Sequence, residues 1–255
     1  MSEAAQYPRE FEVLLPAGYA DGAGRVHRQA VIRKMRGHEE ALLYDQTLPA
    51  GRLVTELIRS CLVRLGDIGT VTAQLVSELY TADRNYLLLE LRRITLGDYL
   101  PALYICPRCG AEISVFQDLG AVPVRRLEEG RMPEDVTVWL EDGYIDREGA
   151  PHTEVVLTLP RGVDEEFVSS MAEKDPLRAQ DVLLLRCIRR FGSLPPAALE
   201  AYGIKILRDL TMGDRRLLFQ AVNSQMPGVD FQCPVHCDSC GTSFQGVMDV
   251  TNFFV

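Results

Sequence analysis

No apolar run in these 255 residues approaches the roughly 20 needed to cross a bilayer. The most apolar stretches, 53–65 and 182–188, are short and carry charged residues. The first ten residues hold neither a basic cluster nor an apolar segment, so no secretion signal is expected. Basic excess is missing too. The chain has 27 Lys+Arg against 36 Asp+Glu, a net charge of −9. That balance argues against non-specific nucleic-acid binding, which runs on phosphate neutralisation, and against docking on anionic lipid. Histidine is scarce, with four in all. There is no Gly-rich phosphate loop, no Gly-x-Gly-x-x-Gly and no Gly-x-Ser-x-Gly elbow. His38-Glu-Glu lacks the second histidine of a zincin helix. No enzyme is expected, and no catalytic or cofactor-binding residue is assigned.

Apolar residues make up 47% and charged residues 25%, so the chain can build a true core. Its length fits one large domain or two small ones. Two segments resemble each other in order. Gly18-Tyr-Ala-Asp21 with Gly24 and His27 returns as Gly143-Tyr-Ile-Asp146 with Gly149 and His152. Further on, Cys61 and Gly66 meet Cys187 and Gly192, and Asp83-Arg84 meets Asp214-Arg215. Cys106-Pro-Arg-Cys109-Gly then meets Cys237-Asp-Ser-Cys240-Gly. The offset only grows along the chain, and the largest step falls at Pro195-Pro196, read as a loop. This predicts an internally duplicated α+β protein, with repeats at 1–121 and 122–255.

Each repeat reads as a β-hairpin, then helices, then a strand, a Cys-x-x-Cys-Gly turn and a strand. Strands are expected at 11–15 and 26–35, and again at 136–140 and 154–159. Helices are expected at 52–64, around 71–94, at 181–190 and around 196–222.

Seven cysteines occupy positions 61, 106, 109, 187, 233, 237 and 240. An odd, clustered set without a secretion signal suggests metal binding rather than disulfides. Cys106, Cys109, Cys237 and Cys240 would supply four thiolates, the closed tetrahedral set of a structural zinc ion. The knuckles at about 99–118 and 230–250 would pair as one zinc ribbon, each repeat donating half. Cys233 and His236 are rival ligands, but Cys233 faces Ala102 in the alignment of the repeats. Cys61 and Cys187 sit on apolar helix faces and are expected in the core. His27 and His152 are expected to pack on their hairpin turns. Acidic charge concentrates in 128–175, with 14 Asp+Glu against 4 Lys+Arg. That is either a solvated face or a docking surface for a basic partner.

Residues 81–98, Thr-Ala-Asp-Arg-Asn-Tyr-Leu-Leu-Leu-Glu-Leu-Arg-Arg-Ile-Thr-Leu-Gly-Asp, run into Tyr104-Ile-Cys-Pro-Arg-Cys-Gly110. This stretch resembles the signature of T-even-phage-type baseplate proteins, a family also described as baseplate hub assembly chaperones. Leu159-Pro-Arg-Gly-Val-Asp164, Cys237-Asp-Ser-Cys-Gly241 and the ending Asp249-Val-Thr-Asn-Phe-Phe254 are similar to its C-terminal half. Relatives occur in gene clusters for extracellular contractile injection systems. The resemblance implies a non-enzymatic assembly chaperone or minor structural component of a baseplate hub. It implies hub or spike proteins as partners and assembly in the bacterial cytoplasm. Two rivals stand beside it. One is a zinc-ribbon nucleic-acid-binding accessory protein. The other is a thiol oxidoreductase using one Cys-x-x-Cys pair. The apolar end, 250–255, reads as a last strand or a partner-binding tail.

Overall fold

The computed structural model of the protein describes residues 9–225, 227–248 and 253–254. The proposed last strand at 250–255 and the Asp249 match lie largely outside them. Twelve strands and eight α-helices form a mixed α+β fold among the described residues.

The first half opens with β1 (Glu10–Ala20) and β2 (Val26–Arg33) as an antiparallel hairpin. Helices α1 (Gly37–Leu43) and α2 (Ala50–Cys61) follow, and β3 (Leu62–Leu65) returns beside β2. Helices α3 (Ala73–Glu78) and α4 (Thr81–Leu96) lead to the hairpin β4 (Tyr99–Ile105) and β5 (Glu112–Asp118). The connection carries β6 (Val124–Arg125).

The second half runs β7 (Val136–Ile145), β8 (Pro151–Leu157), α5 (Gly162–Ala172), α6 (Pro176–Cys187) and β9 (Ile188–Phe191). Then come α7 (Pro196–Asp209), α8 (Met212–Gln225) and β10 (Gly228–Val229), which pairs with β6. The hairpin β11 (Gln232–His236) and β12 (Ser243–Val247) completes the element order.

Two three-stranded sheets result, ordered β1-β2-β3 and β7-β8-β9. Their registers run alike. β1 bulges between Leu14 and Tyr19, and β7 bulges between Trp139 and Tyr144. A buried aspartate meets each bulge. Asp83 of α4 accepts the Ala17 and Gly18 N–H groups at 2.8 and 2.9 Å. Asp214 of α8 accepts from Glu141, Asp142 and Gly143 at 2.8, 3.2 and 2.8 Å. The bulge leaves these donors without a ladder partner, and the helix supplies one.

Five expectations from the sequence change. The helix expected at 52–64 ends at Cys61, and the one at 181–190 ends at Cys187. Their last residues turn into β3 and β9, because pairing with β2 and β8 overrides the helical spacing. The helix around 71–94 breaks at Leu79-Tyr80, both extended, so that Tyr80 can bridge Arg161. The helix around 196–222 breaks at Leu210-Thr211. Pro196 also starts α7 rather than lying in a loop, a position where a missing N–H costs nothing.

The two sheets carry separate cores, one around Ile32, Leu57 and Leu87, the other around Val155, Leu184 and Leu207. A third cluster, including Leu89, Leu100, Val235 and Phe253, sits under the Cys-bearing hairpins and mixes both halves. Helix α5 also packs on α2, α3 and α4 of the first half. There the fully buried Arg84 donates to Glu165 at 3.0 Å and Thr55 at 2.8 Å, and to the Gly51 carbonyl. Glu166 accepts from Thr55 and Ser77.

Candidate metal centre

Hairpins β4–β5 and β11–β12 present one Cys-x-x-Cys turn each. The two turns close identically. The Cys106 N–H donates to Ala111 and Gly110 to Cys106, while Cys237 donates to Thr242 and Gly241 to Cys237. Gly110 and Gly241 hold φ of 72° and 69°, the left-handed region that a residue without Cβ enters at little cost. Each turn thereby aims both sulfurs to one side.

The two pairs meet. The Sγ atoms of Cys106, Cys109, Cys237 and Cys240 all lie within 4.8 Å of one another. Cys106 is 3.6 Å from Cys240, and Cys109 is 3.7 Å from Cys237. These are not disulfides, whose sulfurs sit at about 2.0 Å. A tetrahedral ion with metal–sulfur bonds of about 2.3 Å places its sulfurs about 3.8 Å apart. The four residues therefore fit one metal ion in a closed set.

The electrostatics agree with this fit. The Thr242 hydroxyl, and then its N–H, pull Cys240 down to about 6. The Cys109 and Arg108 N–H groups lower Cys106. The Ala111 N–H acts to lower Cys109, but the neighbouring sulfurs of Cys240 and Cys106 outweigh it and push it up to about 12. Four crowded sulfurs resist ionising together, and a cation between them removes that resistance.

Cys233 lies elsewhere. It is buried, 3.2 Å from the Tyr104 hydroxyl and 3.3 Å from the Gln117 amide. His236 is 3.0 Å from the Ser243 hydroxyl on an exposed edge. Neither rival joins the cluster. Cys61 and Cys187 are buried at the ends of α2 and α6, and burial pushes both thiols up to about 12. His27 and His152 are buried against their turns, 3.0 and 3.1 Å from the Asp21 and Asp146 carboxylates.

Sequence reasoning missed the roles of Asp83, Asp214 and Arg84. Asp83 and Glu165 lie in the first turns of α4 and α5, with Glu166 next along α5, and all three bond to other elements of the molecule. The matched pairs Asp83-Arg84 and Asp214-Arg215 were the available signal. Arg215 nonetheless bonds within its own half, to Asp181 and the Leu207 carbonyl.

Fold and centre together define a mixed α+β protein whose two Cys-x-x-Cys knuckles meet in a four-cysteine cluster. Over residues 31–255 the chain matches the family model described as T4 bacteriophage base plate protein. The chain belongs to that family, and membership gives it a structural role in a phage-type baseplate, among other baseplate proteins. Comparison with curated proteins and with solved structures gives no match.

Proposed function

We propose that the protein is a non-enzymatic assembly chaperone or minor structural component of the baseplate hub. The host would be a contractile phage tail or a phage-tail-like injection system. It acts in the bacterial cytoplasm during assembly, binding hub or spike proteins. The observation that carries this reading is the family match over 31–255. Its two halves, divided near residue 121, are diverged copies of one module. The like sheet orders and the two bulges met by buried aspartates support that origin. A single zinc ion held by Cys106, Cys109, Cys237 and Cys240 joins the knuckles. The all-sulfur donor set supports zinc, and with no ligand position left for water the ion would be structural.

Co-expression with the hub and spike proteins of the same gene cluster tests the reading. The protein should co-purify with one of them and carry one zinc per chain by native mass spectrometry. Cys106→Ser with Cys237→Ser should lose the zinc, and baseplates should fail to assemble without the protein. Normal baseplates in its absence, with no hub or spike captured, would overturn the hub assignment. A wild-type chain without metal would overturn the clamp.

A further inference from the structure

The two like sheets differ at one edge. Strand β1 is the outer strand of its sheet, and the connection from the first half runs along it. The Leu127 N–H donates to the Pro16 carbonyl at 3.0 Å, and the Arg126 guanidinium donates to the Leu14 carbonyl at 3.3 Å. Arg126 also lies over the Tyr86 ring, 5.1 Å from its centroid, and bonds its hydroxyl. From the sheet side, Arg28 holds the Leu127 and Glu128 carbonyls at 2.6 and 3.1 Å. The Arg126-Leu127 segment that follows β6 is thus bound to this edge, while Val124 and Arg125 pair with β10.

Strand β7 is the outer strand of the second sheet in the same way. Trp139 stands there as Leu14 does on β1, since Leu14 pairs with Gln29 and Trp139 with Glu154 just before each bulge. Among the described residues, no main-chain group from outside the sheet bonds Trp139 or Glu141. Trp139, the sole tryptophan, is 67% exposed. Leu217, three residues past Asp214 as Tyr86 is past Asp83, is exposed as well. An open strand edge beside exposed apolar side chains is a template for strand addition.

The charge selects the occupant. Thr153 follows His152 where Arg28 follows His27, so this edge has no arginine clamp of its own. Glu141 and Asp142 are exposed beside Trp139, within the acidic stretch 128–175. The missing cations must come from the other side, and the indole face suits an arginine.

We propose that the β7 edge binds an extended, arginine-containing segment of a baseplate partner protein, in the manner that Arg126 and Leu127 bind β1. The surface is independent of the metal centre and of which baseplate protein supplies the segment.

A synthetic peptide of residues 122–127, Val-Pro-Val-Arg-Arg-Leu, capped at both ends, is the probe. Trp139 is the reporter. Titration into the full-length protein should shift Trp139 emission to the blue and slow amide exchange along β7. The same peptide with both arginines replaced by serine should bind about tenfold more weakly, as should the intact peptide to Glu141→Lys with Asp142→Lys. Salt should weaken the native pairing. No emission change and no new protection at saturating peptide would overturn the proposal, as would equal binding by the arginine-free peptide. An emission shift that follows protein concentration without peptide would assign the edge to a second copy and overturn it too. Loss of hub binding by the cysteine variants, with peptide binding intact, separates this surface from the function proposed above.

Discussion

A carboxylate removed from water is costly unless donors meet it. Asp83 is fully buried, and two main-chain N–H groups meet it at the β1 bulge. Burial nevertheless dominates and pushes it up from 3.8 to about 6, against the pull of the Ala17 and Gly18 N–H groups and of Arg28. A folded value above the unfolded one means that the folded chain holds an extra proton between pH 3.8 and about 6. The proton-linked stability is full below that window and is lost as pH rises through about 6. Asp83→Asn should flatten this slope in urea unfolding followed from about pH 4 to 7. It should also cost about 1–3 kcal/mol, because the amide turns an NH2 toward an N–H donor. An unchanged slope would assign the linkage to another group. The carboxylate's part is local: it fixes the bulge that turns β1 toward β2.

At the scale of elements, close approach of α2 to α5 decides how the halves meet. A Cβ on Gly51 would lie 2.8 Å from the Glu166 Cα and 3.0 Å from its N. Those are backbone atoms and cannot swing aside. Gly51→Ala should therefore part the helices and cost about 1–3 kcal/mol. Gly37→Ala, at the first turn of α1 with nothing within 4 Å, should be neutral or slightly stabilising. Thermal unfolding of the two variants side by side is the measurement, and equal midpoints would refute the helix-contact argument. This contact was invisible in the sequence. Arg84 and Glu165 stand 81 residues apart, and charged residues on helices read as surface. The overrun of the helix expected at 52–64 has a related cause. Leu57, Cys61 and Leu65 keep helical spacing, yet Leu65 belongs to β3 because β2 offers it a partner. The break at Leu79-Tyr80 carries no Gly or Pro to announce it. The knuckles, by contrast, were legible because their chemistry is local. Two cysteines and a glycine specify the turn, and its repetition specifies the partner.

For the whole molecule, the four-cysteine cluster is one of several places where the halves are fastened, beside the β6–β10 pairing and the apolar cluster under the hairpins. Another is the seam of α5 on α2, α3 and α4 around Arg84. The structural zinc ion proposed for the four-cysteine cluster would contribute about 10–16 kcal/mol of apparent free energy, so its removal should lower the thermal midpoint strongly. It should not separate the halves, because the seam involves none of the four sulfurs. Breaking the seam is the complementary experiment. Arg84→Met leaves Glu165 without its buried cation partner, which should cost about 3–5 kcal/mol. Limited proteolysis in the connection between β6 and β7, followed by size exclusion, reads both effects. After chelation alone the two fragments should co-elute. They should part only when chelation is combined with Arg84→Met. Fragments that separate on chelation alone would make the ion the sole fastening. Fragments that stay together under both treatments would place the decisive contact in the apolar cluster under the hairpins, where Leu89 and Leu100 meet Val235 and Phe253.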